Sequence, residues 1–306
     1  MGSPFGPLVL IVNPRAGRGR VGRALPEIER RLHAGRLAYR IATTQAAGDA
    51  ARLARQALEK GERFVVAVGG DGTVHEVVNG MIEDDRLVVD DAVLGVLAAG
   101  SGCDFVRTFG MPDRPRNAVR HLLGSGTYQI DVVRVGYANN GETRTRYSPN
   151  IAEAGLGAEA VRRAEGLSRR LGRGRYFVGF WLAVAGFRPA EVHVETDRRT
   201  FDGQANNVIV ANCQYYGGGM RISPRSYPGD GLLDVQISVG PKSEAFTTLP
   251  KIYRGQHVPS PTIKEYRARD VRIDADRALP VEADGEVLGT TPATFTVLPQ
   301  ILALKI

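Results

Sequence analysis

The chain has 306 residues, of which 43% are hydrophobic and 24% charged. This is ordinary globular composition, which excludes a disordered or fibrous chain, and the length predicts about two domains. The net charge is +7, and 35 of the 40 basic residues are arginines. The planar guanidinium group of arginine suits phosphate, but a codon bias would also explain the large number of arginines.

The first part of the chain alternates strands and helices. Apolar runs at residues 8–12, 64–68 and 93–97 are typical of parallel strands covered on both faces. A shorter strand is predicted at 39–42. Helices are predicted from the turn after the first strand to about His33, over 49–60 and over 74–81. This order predicts an α/β domain with an open parallel sheet.

The pattern changes near residue 125. Turn signals then separate shorter apolar segments, which predicts a mostly β domain of two packed sheets with a helical insertion over about 158–185. We therefore expect an α/β domain over 1–125 and a β-sandwich domain over 126–306. The predicted strands of the second domain are 128–135, 207–211, 233–239, 262–273 and 294–298.

Three glycine-rich segments, 13–19, 69–73 and 100–102, each follow a predicted parallel strand. Ligands of such sheets bind at the carboxyl ends of the strands, and glycine lets backbone N–H groups approach an anion. One such segment is more often a plain turn, but three at one sheet edge predict phosphate binding. Neither the P-loop motif nor the dinucleotide fingerprint is present.

The middle segment adds a carboxylate, Asp71, between glycines. Thr73 is expected to cap the following helix, which would leave Asp71 free to face a metal–phosphate group. Phosphoryl transfer needs such a group, because Mg²⁺ held by oxygen ligands offsets the charge of the phosphates.

Several motifs together resemble one family over nearly the whole chain. Residues 13–17 resemble an N-P-x-x-G turn, and 69–80 match G-G-D-G-T-x-x-E-x-x-N-G. Residues 150–158 resemble the opening of a second domain, and 230–235 and 284–286 match two later motifs. These segments resemble the diacylglycerol kinase catalytic-domain superfamily, more closely the bacterial lipid kinases that share it with sphingosine kinases. The resemblance implies a nucleotide-binding first domain, a lipid-substrate second domain, and ATP and Mg²⁺ as cofactors.

The sequence departs from the family pattern P-x-G-T-x-N-D-F at residues 98–105. Here Ala98 stands for proline, Ser101 keeps the hydroxyl of threonine, and Cys103 replaces an amide donor by a weaker one. This departure is the one feature that favours an alternative function, a catalytically weak or inactive lipid-binding or regulatory homologue.

The resemblance also implies roles for single residues. Glu286 is the expected general base on the acceptor hydroxyl, with Asp71 linked to the catalytic Mg²⁺. A turn aspartate at Asp230 and a hairpin residue at Glu286 remain the structural alternatives, and Asp104 is the next candidate for the base. The resemblance places at the ATP site Asn13, Gly17, Thr44, Gly70, Asp71, Gly72, Thr73, Glu76 and Ser101. It places at a second, structural metal site Tyr227, Asp230 and Leu232.

An arginine-rich segment, 162–175, runs into an apolar aromatic segment, 176–187. Basic and aromatic residues together would suit an anionic membrane surface, whereas a solvated helix followed by a core helix is the alternative. No nucleic-acid motif accompanies the charge. We expect a lipid substrate, peripheral contact with an anionic membrane surface and no nucleic acid, and the sequence leaves open whether the chain forms a homodimer. Only two cysteines predict a reducing compartment, hence a cytoplasmic protein peripheral at the inner membrane surface.

The acceptor stays open at this stage. Diacylglycerol, phosphatidylglycerol and a sphingoid base all offer a hydroxyl. An NAD kinase also uses the G-G-D-G-T motif and is the second alternative, although its later acceptor signatures are missing here.

Overall fold

The structure, a computed structural model, describes residues 3–99, 103–112, 119–168, 171–172 and 174–306. It forms two compact units. The first contains Met1–Val132 and Leu298–Ile306, and the second contains Val133–Val297. No pattern in the sequence had indicated that the end of the chain returns to the first unit. Among the described residues, no helix is both long enough and apolar enough to cross a membrane.

The first unit is built on a parallel sheet. Its strands are β1 (Leu8–Val12), β2 (Tyr39–Thr43), β3 (Phe64–Gly69), the short pair β4 (Ile82–Glu83) and β5 (Arg86–Leu87), and β6 (Val93–Ala98). Its helices are α1 (Ala16–Ala34), α2 (Asp49–Glu59), α3 (Asp71–Met81) and α4 (Asp104–Thr108). The strand order is β6-β3-β1-β2, every pair parallel. The continuous apolar runs of β1, β3 and β6 are fully buried, as expected for strands with helices on both faces.

The start of α1 differs from a regular helix. Gly17, Arg18 and Gly19 have φ values of 59°, 59° and 78°, in the left-handed region that glycine adopts most readily. Pro26 lies inside the regular part of the helix. The irregular turn at 17–19, not the proline, therefore separates β1 from the regular part of α1.

The second unit is mostly β. Its strands are β7 (Thr127–Asn139), β8 (Glu142–Ser148), β9 (Ile151–Gly155), β10 (Ala190–Thr196), β11 (Thr200–Ala205), β12 (Asn207–Ala211), β13 (Leu233–Ser238), β14 (Ile263–Ala268), β15 (Asp270–Ala275), β16 (Pro280–Ala283) and β17 (Glu286–Lys305). Its helices are α5 (Leu156–Glu165), α6 (Gly174–Gly186) and α7 (Ala245–Tyr253). The beginning of β7 and the end of β17 belong to the first unit, where Ala303 and Leu304 pair in parallel with β6.

Two antiparallel layers share the long strand β17. One has the order β14-β13-β12-β9-β16-β17, and the other the order β11-β10-β15-β17-β7-β8. Their apolar side chains, among them Val210, Val235, Ile273 and Phe295, form one core. The predicted β sandwich is thus confirmed.

The predicted helical insertion is present and consists of two helices, α5 and α6, which pack against each other. Two details of the prediction were wrong. The segment 262–273 is not one strand, because the chain passes at Arg269 from β14 in one layer to β15 in the other. The helix α7 was missed, because Pro250 lies inside it and argues against a helix from sequence.

Glycine at position 80 fixes the crossing of α2 and α3. A Cβ atom there would lie 2.1 Å from the carbonyl oxygen of Ala51 and 2.8 Å from its carbonyl carbon. Because these are backbone atoms, only a separation of the two helices could make room.

We therefore expect Gly80→Ala to lower the free energy of unfolding by about 1–3 kcal/mol. Chemical denaturation of the purified variant measures this loss. Gly174→Ala is the matched control, because a methyl group there would meet nothing within 4 Å and α6 would gain helix propensity. Equal stability of Gly80→Ala and the parent would refute the packing role.

Candidate functional site

The carboxyl ends of the parallel strands form one row. The Thr44 N–H donates to the carbonyl of Val12 at 2.9 Å, and the Asn13 N–H donates to the carbonyl of Val68 at 3.1 Å. The Ala99 N–H donates to the carbonyl of Gly69 at 3.3 Å. These bonds extend the sheet ladder by one step, so the turns after β1, β2, β3 and β6 emerge side by side. Of the glycine-rich segments, 100–102 lies outside the described residues, and so does Ser101.

The turn after β1 is held by its own first residue. The Asn13 side-chain oxygen accepts a hydrogen bond from the Arg15 N–H at 3.2 Å, and the chain then enters the left-handed turn that begins at Gly17. Arg15, Arg18 and Arg20 are exposed, and none forms an ion pair within the described part of the chain. This turn therefore presents unneutralised positive charge next to the strand ends.

Asp71 is the first residue of α3 and contacts the start of α4. One of its carboxylate oxygens accepts a hydrogen bond from the Phe105 N–H at 3.0 Å and another from the Cys103 thiol at 3.4 Å. The expectation that Thr73 caps α3 was wrong, because the helix starts two residues earlier and its N-cap position is Gly70. The buried Thr73 side chain instead packs on Gly69, where a Cβ atom would lie 2.2 Å from the Thr73 Oγ1.

Electrostatics set Asp71 apart from ordinary aspartates. Loss of hydration, reinforced by the neighbouring charge of Asp104, raises the pKa of Asp71 to about 6. Burial, and to a smaller extent the charge of the Asp71 carboxylate, raises the pKa of the Cys103 thiol well above its usual value. Cys103 is therefore a protonated donor to Asp71 at neutral pH and not a thiolate nucleophile.

Two carboxylates close enough to repel each other suit a divalent cation. Mg²⁺ prefers oxygen ligands and is commonly bound by one or two carboxylates together with phosphate oxygens. One oxygen of Asp71 accepts the bonds from Phe105 and Cys103, and the Asp104 N–H also bonds to this carboxylate. Asp104 is buried, and Arg107 lies 3.2 Å from one of its oxygens. Asp71 thus fits Mg²⁺ as an oxygen ligand, whereas Arg107 already lies against Asp104.

Glu76 has a packing contact that the sequence did not suggest. Its carboxylate accepts a hydrogen bond from the Ala50 N–H at 3.0 Å, at the start of α2. Together with the close approach of Gly80 to Ala51, this bond aligns α2 with α3. Glu76 and Gly80, two residues of the motif at 69–80, therefore hold α2 and α3 against each other.

Glu286 begins β17, directly after a tight turn. Asp284 and Gly285 have φ values of 53° and 88°, and Glu286 pairs with Ala283 across the hairpin. Asp284 is nearly inaccessible, and its carboxylate accepts bonds from the Ser148 hydroxyl at 2.7 Å and the Ile151 N–H at 3.1 Å. The hairpin is thus present, and neighbouring strands fix the turn from which Glu286 projects.

The segment proposed as a second metal site is already internally bonded. Asp230 contacts the Arg267 guanidinium through one oxygen and accepts the Leu232 N–H at 3.0 Å through the other. The carbonyl of Tyr227 accepts the Gly229 N–H at 2.8 Å. These groups do not fit a cation, since an arginine occupies the only carboxylate, and we derive no metal chemistry from them. The contacts correspond to the turn aspartate.

Two buried acids, Glu153 and Glu282, were not predicted as functional from the sequence. Each stands in an apolar strand segment, Ile-Ala-Glu-Ala in β9 and Pro-Val-Glu-Ala in β16, and the two residues are paired across these strands. A glutamate inside a short apolar run was the available signal, since an ionised acid is almost never fully buried without a partner.

Comparison with known families covers both units. Residues 7–135 match the diacylglycerol kinase catalytic domain, and residues 150–306 match the YegS C-terminal NAD kinase beta sandwich-like domain. A diacylglycerol kinase of Bacillus subtilis (strain 168) is 27% identical over 292 residues, covering 94% of this chain and 92% of its own. A diacylglycerol kinase of Mycobacterium tuberculosis (strain ATCC 25618 / H37Rv) is 28% identical over 303 residues, covering 97% and 94%.

Solved structures share the fold. The crystal structure of a diacylglycerol kinase from Bacillus anthracis str. Sterne has a TM-score of 0.74 and 23% identity, covering 99% of this chain and 97% of that one. Yeast NADH kinase complexed with NADH has a TM-score of 0.51 and 11% identity, covering 98% and 82%. At these identities the similarity concerns architecture alone.

Proposed function

Since the chain belongs to the diacylglycerol kinase catalytic-domain family, we propose that it is an ATP-dependent lipid kinase that transfers the γ-phosphate to the hydroxyl of a lipid such as diacylglycerol. The observation that carries this proposal is the row of strand ends at which Asp71 stands beside Asp104, next to the arginine-rich turn after β1. Backbone N–H groups, positive charge and paired carboxylates are what a Mg²⁺–triphosphate group requires.

The proposed roles follow the chemistry. Asp71, with Asp104 beside it, would hold Mg²⁺, which neutralises phosphate charge when bound. Asn13, Gly17, Thr44, Gly70 and Gly72 belong to the turns assigned to the nucleotide. We assign the general base to Glu286, because an alcohol is a poor nucleophile at neutral pH and a positioned carboxylate accepts its proton.

The alternatives find less support. The NAD kinase alternative rests on shared architecture with a distant structure, and architecture does not imply function. The inactive homologue rests on Ala98 and Cys103, but the Cys103 thiol donates a hydrogen bond to Asp71 and so supplies a donor there.

One assay separates the three functions. Purified protein is given Mg²⁺, ATP labelled in the γ-phosphate, and in turn diacylglycerol, phosphatidylglycerol, a sphingoid base or NAD. The lipid kinase predicts label in an organic-soluble product of one of the lipids. Labelled NADP would indicate the NAD kinase, and no labelled product would indicate the binding protein.

We also propose that the second unit contacts an anionic membrane surface through α6 and α7. Phe177 is 61% exposed and Phe246 is 65% exposed, and Trp181 stacks on Phe246 with ring centroids 4.4 Å apart. The opposite side of α6 packs on α5, where a Cβ atom at Gly179 would lie 2.7 Å from the Ala160 carbonyl oxygen. One side of α6 is thus packed on α5, and the side that carries Phe177 is exposed.

The chain's net charge of +7 complements an anionic bilayer. Arg169, Arg170 and Arg173, which the sequence placed in the basic patch, lie outside the described residues.

The exposed aromatic side chains give a direct test. The double change Phe177→Ser and Phe246→Ser should weaken binding to anionic vesicles by about tenfold or more, because two large apolar side chains no longer enter the interface. Vesicle sedimentation measures the change. Leu123→Ser, in the first unit and 42% exposed, is the control. Unchanged vesicle binding of the double variant would refute this contact.

A further inference from the structure

The buried acids Glu153 and Glu282 face each other beneath α5. They are paired across β9 and β16, and their exposed fractions are 2% and 0%. Neither forms an ion pair within the described ranges, so no arginine or lysine offsets their charge there. Two ionised carboxylates in such a place would repel each other and would lack hydration.

Each carboxyl has one oxygen bonded to an N–H group and one that is not. One oxygen of Glu153 accepts the Asn207 side-chain amide at 2.6 Å, and one oxygen of Glu282 accepts the Gly285 N–H at 2.7 Å. The other oxygen of each is buried and has no hydrogen-bond partner. Because the two residues pair across β9 and β16, one proton between these two oxygens would give both of them a partner.

The surroundings favour one negative charge, not two. The first turn of α5 lies directly on Glu153, since a Cβ atom at Gly157 would be 2.0 Å from its Oε1, and a helix start favours negative charge. The Tyr216 hydroxyl lies close to both acids and lowers the pKa of each. Two further titratable groups lie nearby: Asp284 in the turn, and Tyr176 of α6, whose charge raises the pKa of Tyr216. On α5, Glu159 is already paired with Arg162 and Arg163.

This pair supports the turn that carries Glu286. The bond from Gly285 to Glu282 ends one residue before Glu286, and Asp284 is held separately by Ser148 and Ile151. We propose that Glu153 and Glu282 share one proton and act together as positioning residues for Glu286, so that loss of this proton loosens the turn and limits activity at alkaline pH. The positioning role rests on the proposed function, whereas the shared proton does not.

The effect on stability has a defined sign. Burial, and for Glu282 also the charge of Glu153, raises the pKa of both acids above the value of about 4.3 expected in an unfolded chain. The folded protein therefore holds a proton that the unfolded chain releases. Its stabilising contribution is complete below the unfolded pKa and is lost as pH rises through the folded pKa.

The test substitutes an amide for the shared proton. In Glu153→Gln the new side-chain oxygen can accept from Asn207 while its NH₂ donates to Glu282 at every pH. Between pH 6 and pH 9 the melting temperature of the parent should fall, and that of Glu153→Gln should fall by about 3 °C less. The alkaline limit of kcat should move upward by at least about one pH unit, because the amide has no such proton to lose. Glu191→Gln, an exposed acid in the same unit, is the control and should behave like the parent.

The outcomes are separable. If Glu153→Gln follows the parent in melting temperature across this range, no proton is shared and the inference is wrong. If the melting temperature responds but the alkaline limit of kcat does not, the positioning role is wrong. A protein that shows the melting response without any phosphoryl transfer supports the shared proton and contradicts the proposed function. Should Glu153→Gln fail to fold, Glu282→Gln makes the same exchange from the other side of the pair and is judged by the same criteria.

Discussion

Asp71→Asn should reduce kcat for ATP-dependent phosphoryl transfer by at least about 10³-fold while the protein stays folded. Asparagine retains the oxygen that accepts the Phe105 N–H and the Cys103 thiol, so the link between α3 and α4 survives. It removes the negative charge and the second carboxylate oxygen, which the proposed function assigns to Mg²⁺. The measurements are steady-state kinetics and a thermal unfolding curve of the same preparation.

The control for this change is Asp90→Asn, an exposed aspartate of the same unit. It should keep the activity of the parent. Because the pKa of Asp71 is raised to about 6, the kcat/KM of the parent for Mg·ATP should fall as pH drops below about 6, where the carboxylate gains a proton. Near-parental kcat in Asp71→Asn would refute the assignment of Asp71.

Glu286→Gln should lower kcat by roughly 10² to 10⁴-fold and leave the affinity for ATP nearly unchanged. Glutamine keeps the size and polarity of the side chain at the start of β17, but it cannot accept the proton of the acceptor hydroxyl. The turn before it stays anchored through Asp284 and Gly285, so the loss does not reflect a displaced hairpin. Kinetics at varied ATP and lipid concentrations, with Glu191→Gln as control, separate the two parameters.

Other results would reassign the residue. A collapse of ATP affinity in Glu286→Gln would make Glu286 a nucleotide or metal ligand. If neither parameter changed, Glu286 would be a hairpin residue only, and Asp104 would be the next candidate for the base.

The sequence predicted the fold where one physical signal dominates. The apolar runs of β1, β3 and β6 can be stable only with both faces covered, so the parallel sheet followed from them directly. The second unit was harder, because strands such as β8 and β11 are largely exposed and polar and carry no apolar run. The break between β14 and β15 depends on which layer each segment joins, and only tertiary packing determines that.

The candidate site was predictable in its motifs but not in its bonds. Spacing along the chain could not show that Cys103 donates to Asp71, because the two residues are 32 positions apart and meet only when β3 and β6 pair. The contact of Arg267 with Asp230 depends in the same way on the pairing of β13 with β14. The sequence shows glutamates at positions 153 and 282, but it does not show that they are buried, because their burial depends on the packing of α5 over β9 and β16.

We propose that the chain moves the terminal phosphate of ATP to a lipid hydroxyl. The most direct measurement compares ATP labelled in the α-phosphate with ATP labelled in the γ-phosphate, in the presence of Mg²⁺ and the lipid that the acceptor assay selects. We expect an organic-soluble product labelled from the γ-position only, with one ADP formed per product and no product from Asp71→Asn. Label from the α-position, or ADP formed without any labelled lipid, would contradict it.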